Sequence, residues 1–123
     1  MKRRFRLTRA TDFKRVRRFG KSYAHPLVVL VTLQNEEMAI QIGITASRSV
    51  GCAVDRNRAK RRLRAAIEPV FSDIRPGWKL IFLARKPIVS AGFNEIQSTV
   101  VGLLNEAGLL VEAKDGWQER ISG

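Results

Sequence analysis

Hydrophobic positions recur along the chain with two periods, and each period predicts a different kind of element. Segment 38–45 alternates aliphatic residues with small or polar ones, as in a strand with one buried face. Segments 27–33 and 78–84 are almost continuously apolar, which is typical of buried strands. Apolar residues three and four positions apart instead predict helices. The first predicted element is a helix from a Thr8 cap to about Arg18, ended by Gly20, and it is followed by strands over 27–33 and 38–45 and a short extended piece over 46–51. A helix over 53–71 comes next, and its regular part is expected to end near Glu68. A strand over 78–84 and a helix over 93–107, ended by Gly108, complete the prediction.

This order, α-β-β-β-α-β-α, predicts an α+β fold, an α/β sandwich with helices packed on one small central sheet. The polar residues 34–37 are expected to form a hairpin turn between the first two strands. A length of 123 residues suggests one domain spanning 1–123. Within it, residues 1–7 are expected to be a basic arm, and residues 109–123, which show no clear period, are expected to fray.

Charge changes this picture more than composition does. The formal net charge is +12, and 17 of the 23 Lys and Arg residues but only 4 of the 11 Asp and Glu residues lie in the first 64 positions. Such an asymmetry points to nucleic acid or an anionic membrane. The longest apolar run, 27–31, is too short to span a bilayer, so no membrane partner is expected. A lone cysteine fits a reducing compartment, and we expect a soluble cytoplasmic protein.

The cations concentrate in residues 56–64, where six of nine side chains are Lys or Arg. On a helix, Ala59 and Leu63 share one face, and Ala66, Ile67 and Val70 extend it. The rest of the circumference is cationic, and its expected counter-charge is a polyanion. A strand and a Gly turn precede this helix instead of a first helix, which counts against a helix-turn-helix and favours RNA over DNA.

Catalytic chemistry by the protein itself is hard to find. The single histidine, His25, stands beside a proline and is expected to be a loop residue. Cys52 has no histidine near it in sequence and is expected to be small packing filler. No His and Cys spacing suits a metal, and no Gly-rich phosphate loop is present. We therefore expect no catalytic and no metal residues. A general RNA-binding module, such as a ribosomal protein or RNA chaperone, stays an alternative, and a protein-only nuclease is disfavoured.

Residues 50–64, Val-Gly-Cys-Ala-Val-Asp-Arg-Asn-Arg-Ala-Lys-Arg-Arg-Leu-Arg, resemble the RNR motif of the protein subunit of bacterial ribonuclease P. Arg6-Leu7 followed by Asp12-Phe13 resembles the start of that family, and Ala84-Arg85-Lys86-Pro87 resembles the end of its last strand. The resemblance covers about residues 3–107. It implies a sandwich with a left-handed β-α-β crossover, against the usual right-handed preference.

The resemblance further implies a subunit that binds the ribonuclease P catalytic RNA and the 5′ leader of precursor tRNA. The holoenzyme removes the leader endonucleolytically and generates the mature tRNA 5′ end. The chain would thus be the accessory subunit of an endoribonuclease. The chemistry would belong to the RNA and to Mg²⁺ bound mainly by the RNA, with no organic cofactor.

Carried over position by position, the resemblance assigns two sets of residues. Those expected to touch the catalytic RNA are Arg48, Arg56, Asn57, Arg58, Lys60, Arg61 and Arg64. Those expected at the leader-binding cleft are Phe13, Arg17, Val31, Arg85 and Lys86. Arg17 and Val31 stand where the family often has aromatic residues, and Cys52 where it usually has Asn. We therefore expect this cleft to grip the leader more by charge and less by stacking.

Overall fold

The fold is built on a four-stranded mixed sheet, as seen in a computed structural model that describes residues 5–7 and 9–111. The elements are α1 Ala10–Phe19, β1 Lys21–Ala24, β2 Val28–Gln34, β3 Ile40–Ala46, α2 Ala53–Ile67, β4 Trp78–Ala84 and α3 Phe93–Glu106. The strands follow the order β1-β2-β4-β3, with β1 and β4 each antiparallel to β2, and β3 parallel to β4. Helix α1 covers one face of the sheet, and α2 and α3 cover the other.

Helices and strands with strong periodicity were predicted correctly, and so was the α+β class. Strand β4 has the predicted bounds, and α3 ends one residue earlier than expected, with Gly108 at φ +73° just beyond it. Helix α2 stops at Ile67, and Pro69 lies in the 3-10 turn Glu68–Asp73. Proline has no N–H to donate to the preceding turn, which explains why the regular helix ends there.

The predicted hairpin over residues 34–37 is wrong, because β2 and β3 are not neighbours in the sheet. Strand β4 lies between them, pairing Leu30 with Phe82 on one side and Ile44 with Phe82 on the other. Its alternate residues are buried against both helical layers, with Phe82 toward α2 and α3 and Ile81 toward α1. The strand that is apolar on both faces thus takes a central place, although it comes last in the chain.

The extra strand also lies elsewhere than predicted. Segment 46–51 contains the 3-10 turn Arg48–Val50 instead of an extended piece. The additional strand is β1, a four-residue edge strand whose outward positions are mostly exposed. It was missed because a short edge strand carries almost no apolar alternation. Strands β3 and β4 with α2 form the expected parallel β-α-β unit, and the hand of its crossover stays a prediction from the resemblance.

Both chain ends are more ordered than expected where the structure describes them. Leu7 is buried, and its N–H donates to the Ile42 carbonyl at the free edge of β3, 2.9 Å away. Leu109 is 1% exposed, and its carbonyl accepts from the Arg75 N–H at 2.7 Å. Residues 5–7 are thus not a free arm, and residues 109–111 do not fray. The rest of those two segments, and the expected Thr8 cap, lie outside the described residues; α1 starts after Arg9.

Candidate nucleic-acid interface

Helix α2 has the two faces that its sequence predicts. The side chains of Ala59, Leu63, Ala66 and Ile67 are at most 3% exposed and pack under the sheet. The remaining positions form a broad cationic face, on which Asn57, Arg58 and Arg61 are exposed and Arg56, Lys60 and Arg64 are half-buried. Between the described residues the structure records an ion pair of Lys79 Nζ with Asp12 Oδ1, 3.7 Å apart, and none with a cation of α2. This face therefore keeps its positive charge for an external anion.

The start of α2 is held by contacts within its own loop. Gly51 has φ +153°, and a Cβ there would lie 2.5 Å from Asp55 Oδ2, so only glycine fits. Arg56 Nη1 donates to the Gly51 carbonyl at 3.1 Å. Cys52 Sγ donates to Asp55 Oδ2 at 3.5 Å, although Cys52 makes no side-chain cap to the helix backbone. These contacts fix the loop that carries the exposed Arg48 relative to the cationic face.

Arg62 has a different role from the cations around it. Its Nη2 donates to the Ala91 carbonyl over 2.6 Å and so ties α2 to the segment before α3. Burial, and then the positive charge of Arg58, lower the pKa of Arg62 from its ordinary value. The resemblance did not place Arg62 among the RNA contacts, and the structure gives this side chain a partner inside the protein.

A second candidate surface is a groove of about 460 Å³ between α1 and β3. Phe13 and Arg17, predicted for a common cleft, do meet here, together with Lys14. The remaining lining residues are Ala10, Ile44 and Thr45. The Phe13 ring lies directly on the backbone of Gly43, where an added Cβ would be 2.5 Å from the ring. The groove thus offers one aromatic surface beside two cations, a combination that suits a base with its flanking phosphates.

The other predicted cleft residues lie elsewhere. Val31 is 2% exposed and packs with Val16 and Ile81 under α1, so its expected contact with a ligand is wrong. It faces the α1 layer from the second strand of the sheet, where a helix covers it completely. Arg85 and Lys86 are exposed just after β4, but they are not among the residues that line the groove.

Sequence reasoning missed Lys14 and Thr45 as parts of the groove. Lys14 was detectable in principle, because Ala10, Lys14 and Arg17 recur at helical spacing beside Phe13. Thr45 was not detectable, since only the tertiary packing of α1 brings it next to that face.

The described part of the chain contains no group of three or more His, Cys, Asp or Glu side chains that could hold a metal ion. None of its helices is long and apolar enough to cross a membrane.

The family model of ribonuclease P matches residues 1–108. A ribonuclease P protein component from Herpetosiphon aurantiacus is 40% identical over 97% of each chain. The Staphylococcus aureus RNase P protein superposes with a TM-score of 0.79 at 30% identity, covering 86% of this chain and 97% of that one. A second S. aureus structure, of a mutant with defective mRNA degradation activity, gives 0.81 at 29% identity, covering 87% and 91%.

By its fold and surfaces, the chain is a basic α+β sandwich protein with a cationic helix on one face of the sheet and a cationic groove beside the other. The matches to known proteins give the family: the chain belongs to the ribonuclease P protein family. It is thus a protein subunit of the endoribonuclease that matures tRNA 5′ ends, as the resemblance implied. This family implies association with an RNA subunit and a tRNA substrate.

Proposed function

We propose that this subunit holds the catalytic RNA on α2 and the precursor tRNA leader in the α1–β3 groove. The observation that carries the proposal is the cationic face of α2, which has no carboxylate partner among the described residues. Strand β3 connects the two surfaces, because α2 packs against it and Ile44 and Thr45 of the same strand line the groove. One rigid strand would then set the distance between catalytic RNA and leader.

On α2 the proposed contacts with the catalytic RNA are charge-assisted hydrogen bonds to phosphates. Arg58 and Arg61 point away from the core, and a guanidinium matches a phosphate with two parallel N–H donors. Asn57 is exposed on the same cationic face and has the donor and acceptor needed for a base edge or a 2′-hydroxyl. The other proposed contacts are Arg48, Arg56, Lys60 and Arg64.

In the groove, one leader base would stack on Phe13 while Lys14 and Arg17 neutralise the adjacent phosphates. Val31 is buried, and Arg17 stands where the resemblance implies that the family often has an aromatic residue, so charge would outweigh stacking in this arrangement. Arg85 and Lys86 are exposed near the end of β4 and would contact the leader or tRNA outside the groove.

The cleavage step would belong to the RNA subunit, with Mg²⁺ held mainly there and no organic cofactor. Within the described residues this chain offers no cluster of ligands suited to a metal, and none of its residues is assigned a step of the bond cleavage. The protein's contribution is binding and alignment of the leader in the cytoplasm. Its partners would be the catalytic RNA and precursor tRNA, with neither DNA nor a membrane.

The test is 5′-leader cleavage of a precursor tRNA at low Mg²⁺, with bacterial catalytic RNA alone, this protein alone, and both together. We expect strong cleavage only in the mixture. A folded protein that binds RNA but gives no stimulation would contradict the proposal and leave a general RNA-binding module. A further control incubates an unstructured mRNA with the protein alone, because a mutant of the S. aureus RNase P protein has a defective mRNA degradation activity. Cleavage there would assign chemistry to the protein.

A further inference from the structure

A second aromatic and cationic surface lies where α1 turns into β1. Phe19 is 66% exposed, the highest exposure of any described Phe, and the Arg18 guanidinium carbon lies 5.4 Å from its ring centroid. Two residues on, Lys21 Nζ lies 5.4 Å from the ring centroid of Tyr23. We call these four residues, Arg18, Phe19, Lys21 and Tyr23, the α1–β1 corner. Neither of the two proposed RNA surfaces uses them.

The backbone of the corner is held in place by close contacts, unlike that of an isolated exposed phenylalanine on a loop. Gly20 connects its two halves, and its N–H donates to the Val16 carbonyl over 2.8 Å. A Cβ on Gly20 would lie 2.5 Å from that oxygen and 2.6 Å from the Thr32 carbonyl. The close approach of three backbone segments therefore fixes Phe19 relative to Lys21 before any ligand arrives, which lowers the cost of binding.

The local charge selects the kind of ligand. No Asp or Glu occurs between Phe13 and Asn35, whereas Lys14, Arg15, Arg17, Arg18 and Lys21 do. An exposed ring among cations without carboxylates is the combination that binds unpaired nucleotides: bases stack on the ring and the cations neutralise phosphates.

Geometry connects the corner to the groove. Consecutive helical residues are rotated by about 100°, so Arg17, Arg18 and Phe19 follow one another around α1. Arg17 lines the groove on one flank of the helix, and Phe19 lies about 200° away on the other flank. A strand leaving the groove over the end of α1 would meet Arg18 and then Phe19. Arg17 and Phe19 both belong to α1, whereas Tyr23 of β1 pairs with Leu30 and packs against the core on the α2 and α3 side, so the corner wraps around the β1 edge of the sheet.

We propose that the α1–β1 corner is a second stacking site for the leader, which takes nucleotides farther from the cleavage site than those in the groove. The inference rests on the proposed function, since it assumes a leader in the groove. It predicts that long leaders are bound more tightly than short ones and that Phe19 carries this difference.

The experiment measures precursor tRNA affinity of the reconstituted holoenzyme with leaders of graded length. Phe19→Ala should weaken binding of long leaders about five- to tenfold and leave the shortest groove-filling leader unchanged. Phe19→Trp should retain the long-leader advantage, whereas Phe19→Leu, which keeps apolar area but no aromatic face, should lose it. Met38→Ala is the matched control, because Met38 is 78% exposed in the loop between β2 and β3.

Equal losses with Phe19→Ala on short and long leaders, or no loss on either, would overturn the inference. Thermal unfolding of each variant checks folding, and an exposed side chain should leave it unchanged. The proposed function fails separately: Arg17→Ala would then leave leader-dependent affinity intact at every length.

Discussion

At the scale of single residues, Gly43 determines the shape of the groove. Gly43 is paired with Ile81 in the sheet and carries the Phe13 ring on its backbone. Any side chain at this position would occupy the space of the Phe13 ring. The aromatic surface of the groove therefore depends on a residue that does not itself line the groove. The other residues of the groove gain their geometry from this close contact.

Gly43→Ala should therefore destabilise the protein by about 1–3 kcal/mol, because its Cβ overlaps the Phe13 ring and forces that ring outward. Leader-dependent affinity should fall with it. Urea unfolding gives the stability change, and precursor binding with and without a leader gives the second effect. Gly102→Ala is the control: its Cβ would meet no atom within 4 Å inside α3, and alanine there should stabilise by about 0.5–1 kcal/mol. Equal stability of Gly43→Ala and wild type would contradict the assignment.

Arg62 and Arg61 are adjacent, but substitution of Arg62 should lower the stability of the fold, whereas substitution of Arg61 should lower the affinity for RNA. Arg62→Ala removes the hydrogen bond to Ala91 and should lower the free energy of unfolding by about 1–2 kcal/mol. Arg61→Ala, at an exposed position, should leave stability within about 0.5 kcal/mol and weaken binding of the catalytic RNA by about 1–3 kcal/mol. Denaturant unfolding and RNA titration of both variants make the comparison. A stable Arg62→Ala that loses only RNA affinity would show that Arg62 faces the RNA instead.

At the scale of elements, the same turns of α2 pack one face into the core and present the opposite, cationic face for binding. Four apolar positions attach it to β3 and β4, and the cations around them stay outside. Mutual repulsion among these cations disfavours the free helix, so packing of the apolar stripe has to hold it in place until an anion binds. Substitutions on the two faces should consequently separate folding from binding.

Leu63→Glu should unfold the domain, since Leu63 is fully buried and a carboxylate there would have no partner. Arg64→Glu, one residue further, should fold and lose affinity for the catalytic RNA. Circular dichroism distinguishes the two results before any binding is measured. If Leu63→Glu folded normally but failed to bind RNA, our assignment of the two faces would be wrong.

On helix α1, a substitution of Arg17 tests whether the groove holds the leader by charge. Arg17→Phe should exchange one phosphate contact for one stacking surface. Leader-dependent affinity should then depend less on salt concentration, with a shallower slope of log affinity against log salt. The measurement compares precursor and leaderless tRNA over a salt series. An unchanged slope and affinity would argue against a charge-based grip on the leader.

At the scale of the whole molecule, the two proposed RNA surfaces lie around one edge of the sheet. Strand β3 lies at one edge of the sheet, with α2 above it and the groove below it. Helix α3 packs toward β1 and β2 and contains Glu95 and Glu106 but no Lys or Arg. The two surfaces of the proposed function thus meet around the β3 edge, which orients the subunit in the field of a large anionic RNA, whereas the α1–β1 corner lies at the opposite edge.

This arrangement predicts a steep dependence of holoenzyme assembly on salt. If the protein neutralises about six phosphates, its affinity for the catalytic RNA should fall about a thousandfold between roughly 50 and 200 mM salt. A filter-binding or fluorescence titration across that range gives the slope. A nearly flat slope would mean that the cationic face of α2 is not the interface.

The sequence by itself determined the features that arise from local order. The period of apolar residues located α2, α3 and β4, and the spacing of Ala59 and Leu63 separated the buried face of α2 from its cations. Such features depend on neighbours one or two turns away along the chain, so the pattern contains them. The RNR run also identified the family, because its chemistry is concentrated in one segment.

Only the tertiary structure decided which strands are neighbours and which side chains share a surface. It inserted β4 between β2 and β3, buried Val31 under α1, and gave Arg62 its partner Ala91. It also brought Phe13 onto Gly43, thirty positions later in the chain. These outcomes depend on the free energy of packing whole faces against each other, and that energy involves residues distant in sequence, which no local period records.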